Sequence, residues 1–343
     1  MRNRLVGHPL EPTTAWGTAR KVKRFFPVAK EFLLDFSKYF KHSLSNGIFT
    51  EKNLRGKITE TFHNIEKGLS LPNPRLGFGE DKIADLIEIS NHYKAKFGIG
   101  SPLLLRVRDT LRAYREMHER NAVSPPHSDL IDKFIEEQSQ LGLGEYGGLR
   151  EVTKKEIVSA TSGIGHDFFL TRHSVRQFSD QPVGLEQINQ AIEAALKSPA
   201  VCNRQFCHAV VIADKDLIAE VLRMQGGARG FQEGIDKLIV VLTRLSHFFS
   251  AGERNQPWID GGLFSMSLLL SLHQQGLGSC CLNWSKTNAQ TQAMKSFLHL
   301  DDDSEIVMMI AVGNLLEKFS VAKSHRQAVD QSSRVITGWL SKD

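Results

Sequence analysis

Four side chains that can hold an anion fall within five residues, just before a predicted helix. They are Arg172, His173, Ser174 and Arg176. The planar guanidinium group of arginine forms paired hydrogen bonds with phosphate oxygens, and a neighbouring hydroxyl can add another. The cluster therefore indicates an anion site, although a solvated turn at the start of a helix has the same composition.

Two amide side chains form a second candidate group. Asn203 and Gln205 lie between a predicted helix and a predicted strand, shortly after Ser198 and Pro199. A side-chain amide both donates and accepts hydrogen bonds, which suits the polar edge of a planar heterocycle. Asn and Pro are also common in tight connections, and taken alone these residues favour a turn.

A third group follows the last predicted strand, at Lys323, Ser324, His325 and Arg326. Its cations and hydrogen-bonding groups suit a phosphate, and the alternative is a solvated basic loop.

Residues 142–147 match the G-x-G-x-x-G pattern of dinucleotide-binding proteins, but that motif requires a strand before it and a helix after it. A predicted helix precedes it here, so we interpret it as an interdomain loop.

Other familiar catalytic patterns are missing from the sequence. It contains no H-E-x-x-H or G-x-S-x-G motif and no C-x-x-C pair. The chain has four cysteines: Cys202, Cys207, Cys280 and Cys281. Their spacing fits neither a zinc site nor a disulfide framework. We expect reduced thiols, no metal centre and a cytoplasmic protein.

The composition is that of a globular protein with room for one large domain or two smaller ones. Of 343 residues, 41% are hydrophobic and 24% charged, which excludes a wholly disordered or fibrous chain. Residues 261–278 form the most apolar segment, which is too short and too polar to span a bilayer. Residues 22–34 lack the apolar core of a signal peptide, so we expect neither feature.

The positive charge is concentrated at the start of the chain. Residues 1–42 contain nine Lys or Arg and three Asp or Glu, a net charge of +6. The whole chain carries +5, so the remaining 301 residues total −1. This arm either contacts a membrane surface or nucleic acid, or is a solvated segment that packs by its Phe and Leu residues; we favour the latter.

Periodicity divides the chain near residue 165. The first part is predicted to be helical, with helices at residues 25–40, 52–65, 82–97, 103–117 and 130–141. The second part alternates helices at residues 185–197, 214–224, 258–275 and 289–297 with strands at 207–213, 237–245, 279–282 and 305–312. Such alternation indicates a layered α/β or α+β domain. The apolar helix at 258–275 suits either a buried core position or a dimer interface.

In their order along the chain, these groups resemble the nitroreductase family of FMN-dependent oxidoreductases. Residues 172–176 resemble its opening R-[RH]-S-x-R motif, and residues 196–205 its A-P-S-x-x-N-x-Q-P element. Asp260 with the apolar helix and the G-L-G turn at 276–278 resembles its core helix. Residues 323–326 resemble its C-terminal K-x-R. The resemblance spans residues 166–337.

The resemblance implies ten cofactor-binding residues: Arg172, His173, Ser174, Arg176, Asn203, Gln205, Trp284, Ser285, Lys323 and Arg326. Arg172 and Ser174 would contact the FMN phosphate or ring edge, with His173 as a neighbour, and Arg176 would contact the pyrimidine edge or support Arg172. Asn203 would hydrogen-bond the isoalloxazine, with Gln205 beside it. Residues 284 and 285 would lie near the flavin N5, which carries the chemistry without a catalytic side chain. This chain has K-x-x-R, so either His325 or Arg326 faces the phosphate. The family's Q-P-W is replaced by Gln205-Phe206-Cys207, which implies a different pocket shape.

For the whole chain, the resemblance implies an α+β fold with a mixed sheet flanked by helices at residues 166–343, and a helical N-terminal extension at residues 1–165. It implies a homodimer that binds FMN between its subunits. NADH or NADPH would reduce the flavin, which would then reduce an unidentified electron-poor acceptor in a ping-pong cycle. No nucleic-acid partner is expected. The alternative is a non-catalytic FMN-binding scaffold in surface-polysaccharide assembly.

The extension resembles that of a long subgroup of the family, through residues 62–69. His63, Glu66 and Lys67 share one face of a predicted helix. They either line a substrate entrance or form a helix-end ion pair with Gly68 as the C-cap, and the ion pair is the commoner arrangement.

Overall fold

The computed structural model describes residues 15–98, 100–139, 146–322, 324 and 326–337, with side chains from residue 25 onward. Within these residues, none of the helices is both long enough and apolar enough to cross a membrane.

The N-terminal part is helical, as its periodicity predicts. Its helices are α1 (Ala15–His42), α2 (Glu51–Leu69), α3 (Glu80–Phe97), α4 (Pro102–Glu119), α5 (Ser128–Ser139), α6 (Lys154–Thr161) and α7 (His166–Leu170). Helices α2 to α5 enclose one core, in which Ile58, Leu104 and Tyr114 are completely buried. Local signals fix the helix starts: Thr50 and Asn53 form a capping box at α2, and Ser101 caps α4 before Pro102.

Helix α1 places its apolar face away from the protein, against our expectation that the arm packs by its Phe and Leu residues. Five aromatic rings are between 49% and 70% exposed: Phe25, Phe26, Phe32, Phe36 and Phe40. The opposite, polar face contacts the second half of the chain. Lys38 lies 2.7 Å from Glu305 and Lys41 lies 2.6 Å from Asp302. These ion pairs orient the helix, which a hydrophobic pattern cannot predict.

The predicted contact at the α2 C-terminus is present between His63 and Glu66, but Lys67 forms no ion pair among the described residues and the cap is not Gly68. Nδ1 of His63 lies 3.1 Å from Glu66, whose other oxygen accepts a hydrogen bond from the Gly148 N–H at 3.0 Å. The helix ends at Leu69, with Ser70 as the C-cap. Gly68 instead permits close packing, because a Cβ there would lie 2.2 Å from the Phe78 ring.

The C-terminal part is built on a four-stranded sheet. Its strands are β1 (Cys207–Ile212), β2 (Lys237–Arg244), β3 (Leu277–Asn283) and β4 (Ser304–Asn314), in the order β1-β2-β4-β3. Its helices are α8 (Leu185–Ala195), α9 (Lys215–Gln225), α10 (Gln256–Gln274), α11 (Asn288–Phe297) and α12 (Val329–Ser332). All pairs among the four strands are antiparallel, and one isolated parallel bridge joins Ser174 to Ser279.

Helices cover both faces of this sheet, and the α+β class predicted from the sequence is confirmed. On one face, Phe264 and Leu268 of α10 pack with Ile239 and Ile310 of the sheet. On the other face, residues of α9 and α11 pack against β2 and β4. The central strand β2 is therefore buried on both sides, which explains its continuous apolar sequence.

Candidate functional site

Residues 172–176 lie along the edge of the sheet. The backbone N–H of Val175 donates to the carbonyl oxygen of Ser279 at 2.9 Å, so the segment follows β3. The Val175 side chain is buried. Because side chains alternate along an extended segment, Ser174 and Arg176 point to the opposite side. Arg176 is exposed and donates to the carbonyl oxygen of Ser174 at 3.4 Å.

The positive charge of residues 172–176 shifts the pKa values of nearby side chains. Burial raises the pKa of the Cys281 thiol, and the charge of Arg172 opposes that rise. Burial lowers the pKa of His273, and Arg172 and His173 lower it further. Among the residues that the structure describes, neither Arg172 nor Arg176 forms an ion pair with a carboxylate. The segment is thus a patch of uncompensated positive charge beside β3, as an anion site requires.

Trp284 and Ser285 follow the end of the same strand. The indole N–H of Trp284 donates to Oγ1 of Thr291 at 3.0 Å, which fixes the ring against α11. Ser285 accepts a hydrogen bond from the Asn283 amide at 3.0 Å. Five residues separate Ser279 from Trp284, which corresponds to about 16 Å along a strand. These two residues therefore lie further along the sheet edge that carries residues 172–176.

Asn203 and Gln205 form a tight turn with an unusual backbone. The φ angles of Cys202, Asn203 and Gln205 are 48°, 50° and 53°, in the left-handed region. Non-glycine residues rarely adopt this region, and each costs on the order of 1–3 kcal/mol unless its surroundings hold it there. A carboxylate oxygen of Asp260 contributes by accepting a hydrogen bond from the Val201 N–H at 2.8 Å. Such strain is common in functional loops.

The two groups lie at opposite ends of α10. At its C-terminal end, Oγ1 of Thr171 lies 3.0 Å from Nε2 of His273. Near its N-terminal end, Asp260 holds the turn that contains Asn203. Thirteen residues of helix separate these anchors, a distance of about 20 Å. Within one chain, the structure therefore does not bring the arginine cluster and the amide turn together.

The face of α10 turned away from the sheet is exposed and apolar. Its exposed residues follow helical spacing and are 42–53% exposed: Trp258, Ile259, Leu263 and Met266. The sequence left open a buried core helix or a dimer interface; one side of α10 lies in the core, and the other is uncovered in the single chain.

Two features predicted from the sequence lie largely outside the residues that the structure describes. Lys323 and His325 lie outside the described residues, as do residues 142–145 of the glycine-rich segment. Arg326 is exposed and donates to the carbonyl oxygen of Ser324 at 2.5 Å. The choice between His325 and Arg326 as the phosphate ligand stays a prediction. Among the described residues, no group of His, Cys, Asp and Glu is placed to hold a metal ion.

Sequence reasoning missed Arg204, which lies between the two amides. It is 4% exposed and forms a bidentate pair with Glu253, at 2.7 and 3.1 Å. It also donates to the carbonyl oxygen of His247 at 2.8 Å and stacks on the Phe249 ring. Glu60 of α2 lies 3.5 Å away, so this side chain connects the turn to the N-terminal helices. Its position between two singled-out residues was the only signal in the sequence.

A cavity of about 440 Å³ adjoins this turn and is bounded by α2, α4 and the residues after β2. Five cationic side chains line it: Lys52, Arg55, Arg106, Arg204 and Arg244. The sequence does not reveal it, because these residues are spread over almost 200 positions.

His247, on the wall of this cavity, provides a pH-dependent prediction. Burial lowers the pKa of His247 to about 3. The carboxylate of Asp303 opposes this shift, and the charges of Arg244, Arg55 and Arg204 reinforce it. An unfolded histidine has a pKa near 6.5, so below that pH the unfolded chain takes up a proton that folded His247 does not. The free energy of unfolding should therefore fall as the pH decreases from 7 to 5, by up to about 2 kcal/mol from this group.

Chemical denaturation at pH 7, 6 and 5 measures this loss. His247→Gln should make the pH dependence shallower by its own share, while the matched change His92→Gln, at an exposed position, should leave it as in the parent. Equal slopes in the parent and His247→Gln would show that His247 is not the group responsible.

Part of the candidate site lies within a segment that matches a known family. A model described as the nitroreductase family matches residues 170–226 and 223–314. NAD(P)H nitroreductase MhqN, as the Bacillus subtilis (strain 168) protein is named, is 23% identical over 195 residues, covering 47% of this chain and 93% of that protein. An FMN reductase [NAD(P)H] of the same organism is 34% identical over 80 residues, covering 23% of this chain and 30% of that protein.

Solved structures also match about half of this chain. An FMN-dependent nitroreductase from Clostridium difficile R20291 is 20% identical and has a TM-score of 0.41, covering 50% of this chain and 98% of that one.

Proposed function

Residues 170–314 of this chain belong to the nitroreductase family, and on that premise we propose that the protein is an FMN-dependent oxidoreductase. It takes a hydride from NADH or NADPH and passes electrons to an electron-poor acceptor in a ping-pong cycle. The observation that carries the proposal is the uncompensated positive patch at residues 172–176, which the family match includes. The names of its relatives, an NAD(P)H nitroreductase and an FMN reductase, favour an enzyme over a scaffold.

The residues present suit FMN. The guanidinium groups of Arg172 and Arg176 match an anionic phosphate or the polar edge of a ring, and neither is neutralised by a carboxylate among the described residues. The Ser174 hydroxyl and the amides of Asn203 and Gln205 supply neutral donors and acceptors. Bound FMN supplies hydride transfer at its N5 atom.

The chain's own residues then have three tasks. Arg172 and Arg176 hold negative charge beside β3, and Trp284 and Ser285 bring backbone N–H groups to the end of the same strand. His173 adds to the same cluster, and Lys323 and Arg326 are proposed as further donors to the phosphate. Fixed donors and cations placed where negative charge develops stabilise it without reorganisation.

The 20 Å separation along α10 supports a homodimer. In a two-fold antiparallel pairing of α10, the His273 end of one helix meets the Asp260 end of the other, and each patch recurs on both subunits. The arginine cluster of one subunit would then face Asn203 of the partner subunit. The exposed Trp258, Ile259, Leu263 and Met266 supply an apolar surface for that pairing.

We further propose the division into an extension at residues 1–165 and an FMN-binding domain at residues 166–343. A cytoplasmic location, where nicotinamide donors and reducing conditions coexist, suits the four free cysteines.

The visible absorption spectrum of the purified full chain tests the proposal. We expect a bound flavin that NADH or NADPH bleaches under anaerobic conditions and that an added electron acceptor restores. A folded protein that is colourless and takes up no FMN from excess would refute the function, and a bound flavin that neither donor bleaches would refute the enzyme.

The variant Asn203→Gly distinguishes a hydrogen bond from Asn203 to the flavin from a purely structural role of this residue in the turn. Glycine adopts the left-handed backbone without strain, so stability should change by less than about 1 kcal/mol. Loss of the amide should slow flavin reduction by about tenfold, the effect of one hydrogen bond. Stopped-flow absorbance with NADH or NADPH measures the rate.

The matched control is Ala122→Gly, which also has a positive φ but lies in the helical extension. Its bound flavin should be reduced at the parental rate. If Asn203→Gly does so as well, Asn203 is a turn residue only.

A further inference from the structure

The cavity between the extension and the proposed FMN-binding domain has the features of a ligand site. Its volume of about 440 Å³ lies in the range of small-molecule pockets. We propose that it binds a multiply charged oxyanion, a phosphate or carboxylate group of the electron acceptor, through Arg55 and Arg106. The inference rests on the proposed function, since it assigns the acceptor's charged end to the extension.

Three of the cations on its walls are already neutralised. Lys52 lies 2.7 Å from Asp303, Arg204 lies 2.7 Å from Glu253, and Arg244 lies 2.5 Å from Asp301. These pairs hold the walls together and leave little charge for a ligand. The capacity to bind an anion therefore resides in the two remaining arginines.

Arg55 and Arg106 have no carboxylate partner among the described residues. Nη1 of Arg55 donates to the Tyr93 hydroxyl at 3.1 Å, a neutral group. Arg55 is exposed, whereas Arg106 is a half-buried residue whose guanidinium makes no hydrogen bond or ion pair with the part of the chain that the structure describes. A partly buried charge without a partner is costly, and a bound anion removes that cost.

The geometry suits a shared ligand. Arg55 is on α2 and Arg106 on α4, and these helices pack together, so both guanidinium groups border the same space. Arginine presents a planar fork that matches the paired oxygens of phosphate and carboxylate groups. His247 also lines the cavity; burial lowers its pKa, Asp303 opposes that shift, and the charges of Arg244, Arg55 and Arg204 add to it.

Gln205 connects this cavity to the proposed flavin site. It lines the cavity and also a smaller pocket beside Cys207 and Asp260. An acceptor held by its anionic end at Arg106 would therefore extend toward the strained turn that carries Asn203 and Gln205. The extension thereby selects acceptors by charge, while the FMN-binding domain supplies the electrons.

Isothermal titration of the full-length, FMN-supplemented protein with pyrophosphate tests binding directly, and added FMN keeps the flavin phosphate site filled. We expect saturable, salt-sensitive binding that weakens by tenfold or more in Arg106→Gln and further in the double change with Arg55→Gln. The matched control is Arg120→Gln at the end of α4, where the side chain is 78% exposed; it should bind as the parent does. No binding in the parent, or equal binding in Arg106→Gln, overturns the proposal.

Two further arms identify the ligand and separate this inference from the proposed function. Citrate in place of pyrophosphate distinguishes a carboxylate site from a phosphate site, and binding of either supports the inference. If reduction is observed, Arg106→Gln should lower kcat/KM about tenfold for the dianion nitroisophthalate and leave neutral nitrobenzyl alcohol unchanged; equal losses would overturn the acceptor assignment. Flavin content is measured separately, so anion binding without flavin would refute the function alone.

Discussion

Replacement of Arg172 by alanine is expected to weaken FMN binding by roughly ten- to a hundredfold. A hydrogen bond to a charged group contributes about 1.5–3 kcal/mol, and Arg172 is half-buried in the cluster beside β3, where Arg176 is exposed. Since no described carboxylate pairs with Arg172, its removal leaves no buried group without a partner. The flavin-free protein should therefore keep its stability within about 0.5 kcal/mol.

Fluorescence titration of flavin-free protein with FMN gives the dissociation constant, and thermal unfolding without FMN gives the stability. The matched control is Arg223→Ala, an exposed arginine of α9 that pairs with Glu220 at 2.9 Å; it should bind FMN as the parent does. An unchanged dissociation constant in Arg172→Ala would mean that the cofactor lies elsewhere. A large loss of stability without FMN would mean that the residue is structural.

The regular elements were predictable because their signals are local. The buried strand β2 is a continuous apolar run, and α8 and α11 show helical periodicity, so their positions follow from sequence to within a few residues. Helices α6 and α7 were missed, because they are short and none of their residues is buried. Without a buried face, a helix leaves no hydrophobic period to detect.

The residue groups of the candidate site were predictable from the sequence, but their arrangement in space was not. Residue types identified the cluster at 172–176 and the amides at 203 and 205, but their separation along α10 depends on tertiary anchors such as Asp260. The sequence next to each arginine of the cavity does not reveal its role, since the tertiary fold decides whether a guanidinium group has a carboxylate partner. The outward aromatic face of α1 is a similar case, because ion pairs on its polar face determine its orientation.

Arg204→Met should have the largest effect on folding, a loss of about 3–5 kcal/mol. The aliphatic replacement keeps much of the packing on Phe249 but removes every charged hydrogen bond. Burial raises the pKa of Glu253, yet the hydrogen bonds from Arg204 and from the Phe249 N–H hold it below its usual value. Removing Arg204 leaves that half-buried carboxylate, and the His247 carbonyl, without this partner.

The pH dependence distinguishes this mechanism from simple loss of packing. A carboxylate with a depressed pKa stabilises the fold above its unfolded pKa, near 4.3, and this contribution is lost as the pH falls through its folded value. The melting temperature of Arg204→Met should therefore be about 5 °C or more below the parent at pH 7, with a smaller difference at pH 4. The control Arg223→Met should melt as the parent does at both pH values.

Arg204 also approaches Glu60 of α2, so its loss should reach the extension. Hydrogen exchange in Arg204→Met is expected to quicken in α2 more than in β2, because the strand keeps its ladder on both sides while the helix loses a contact to the amide turn. A pH-independent difference in melting temperature, with exchange unchanged in α2, would show that the side chain acts by packing alone. In that case the cavity beside it would have to be held by the pairs of Lys52 and Arg244 with the aspartates after α11.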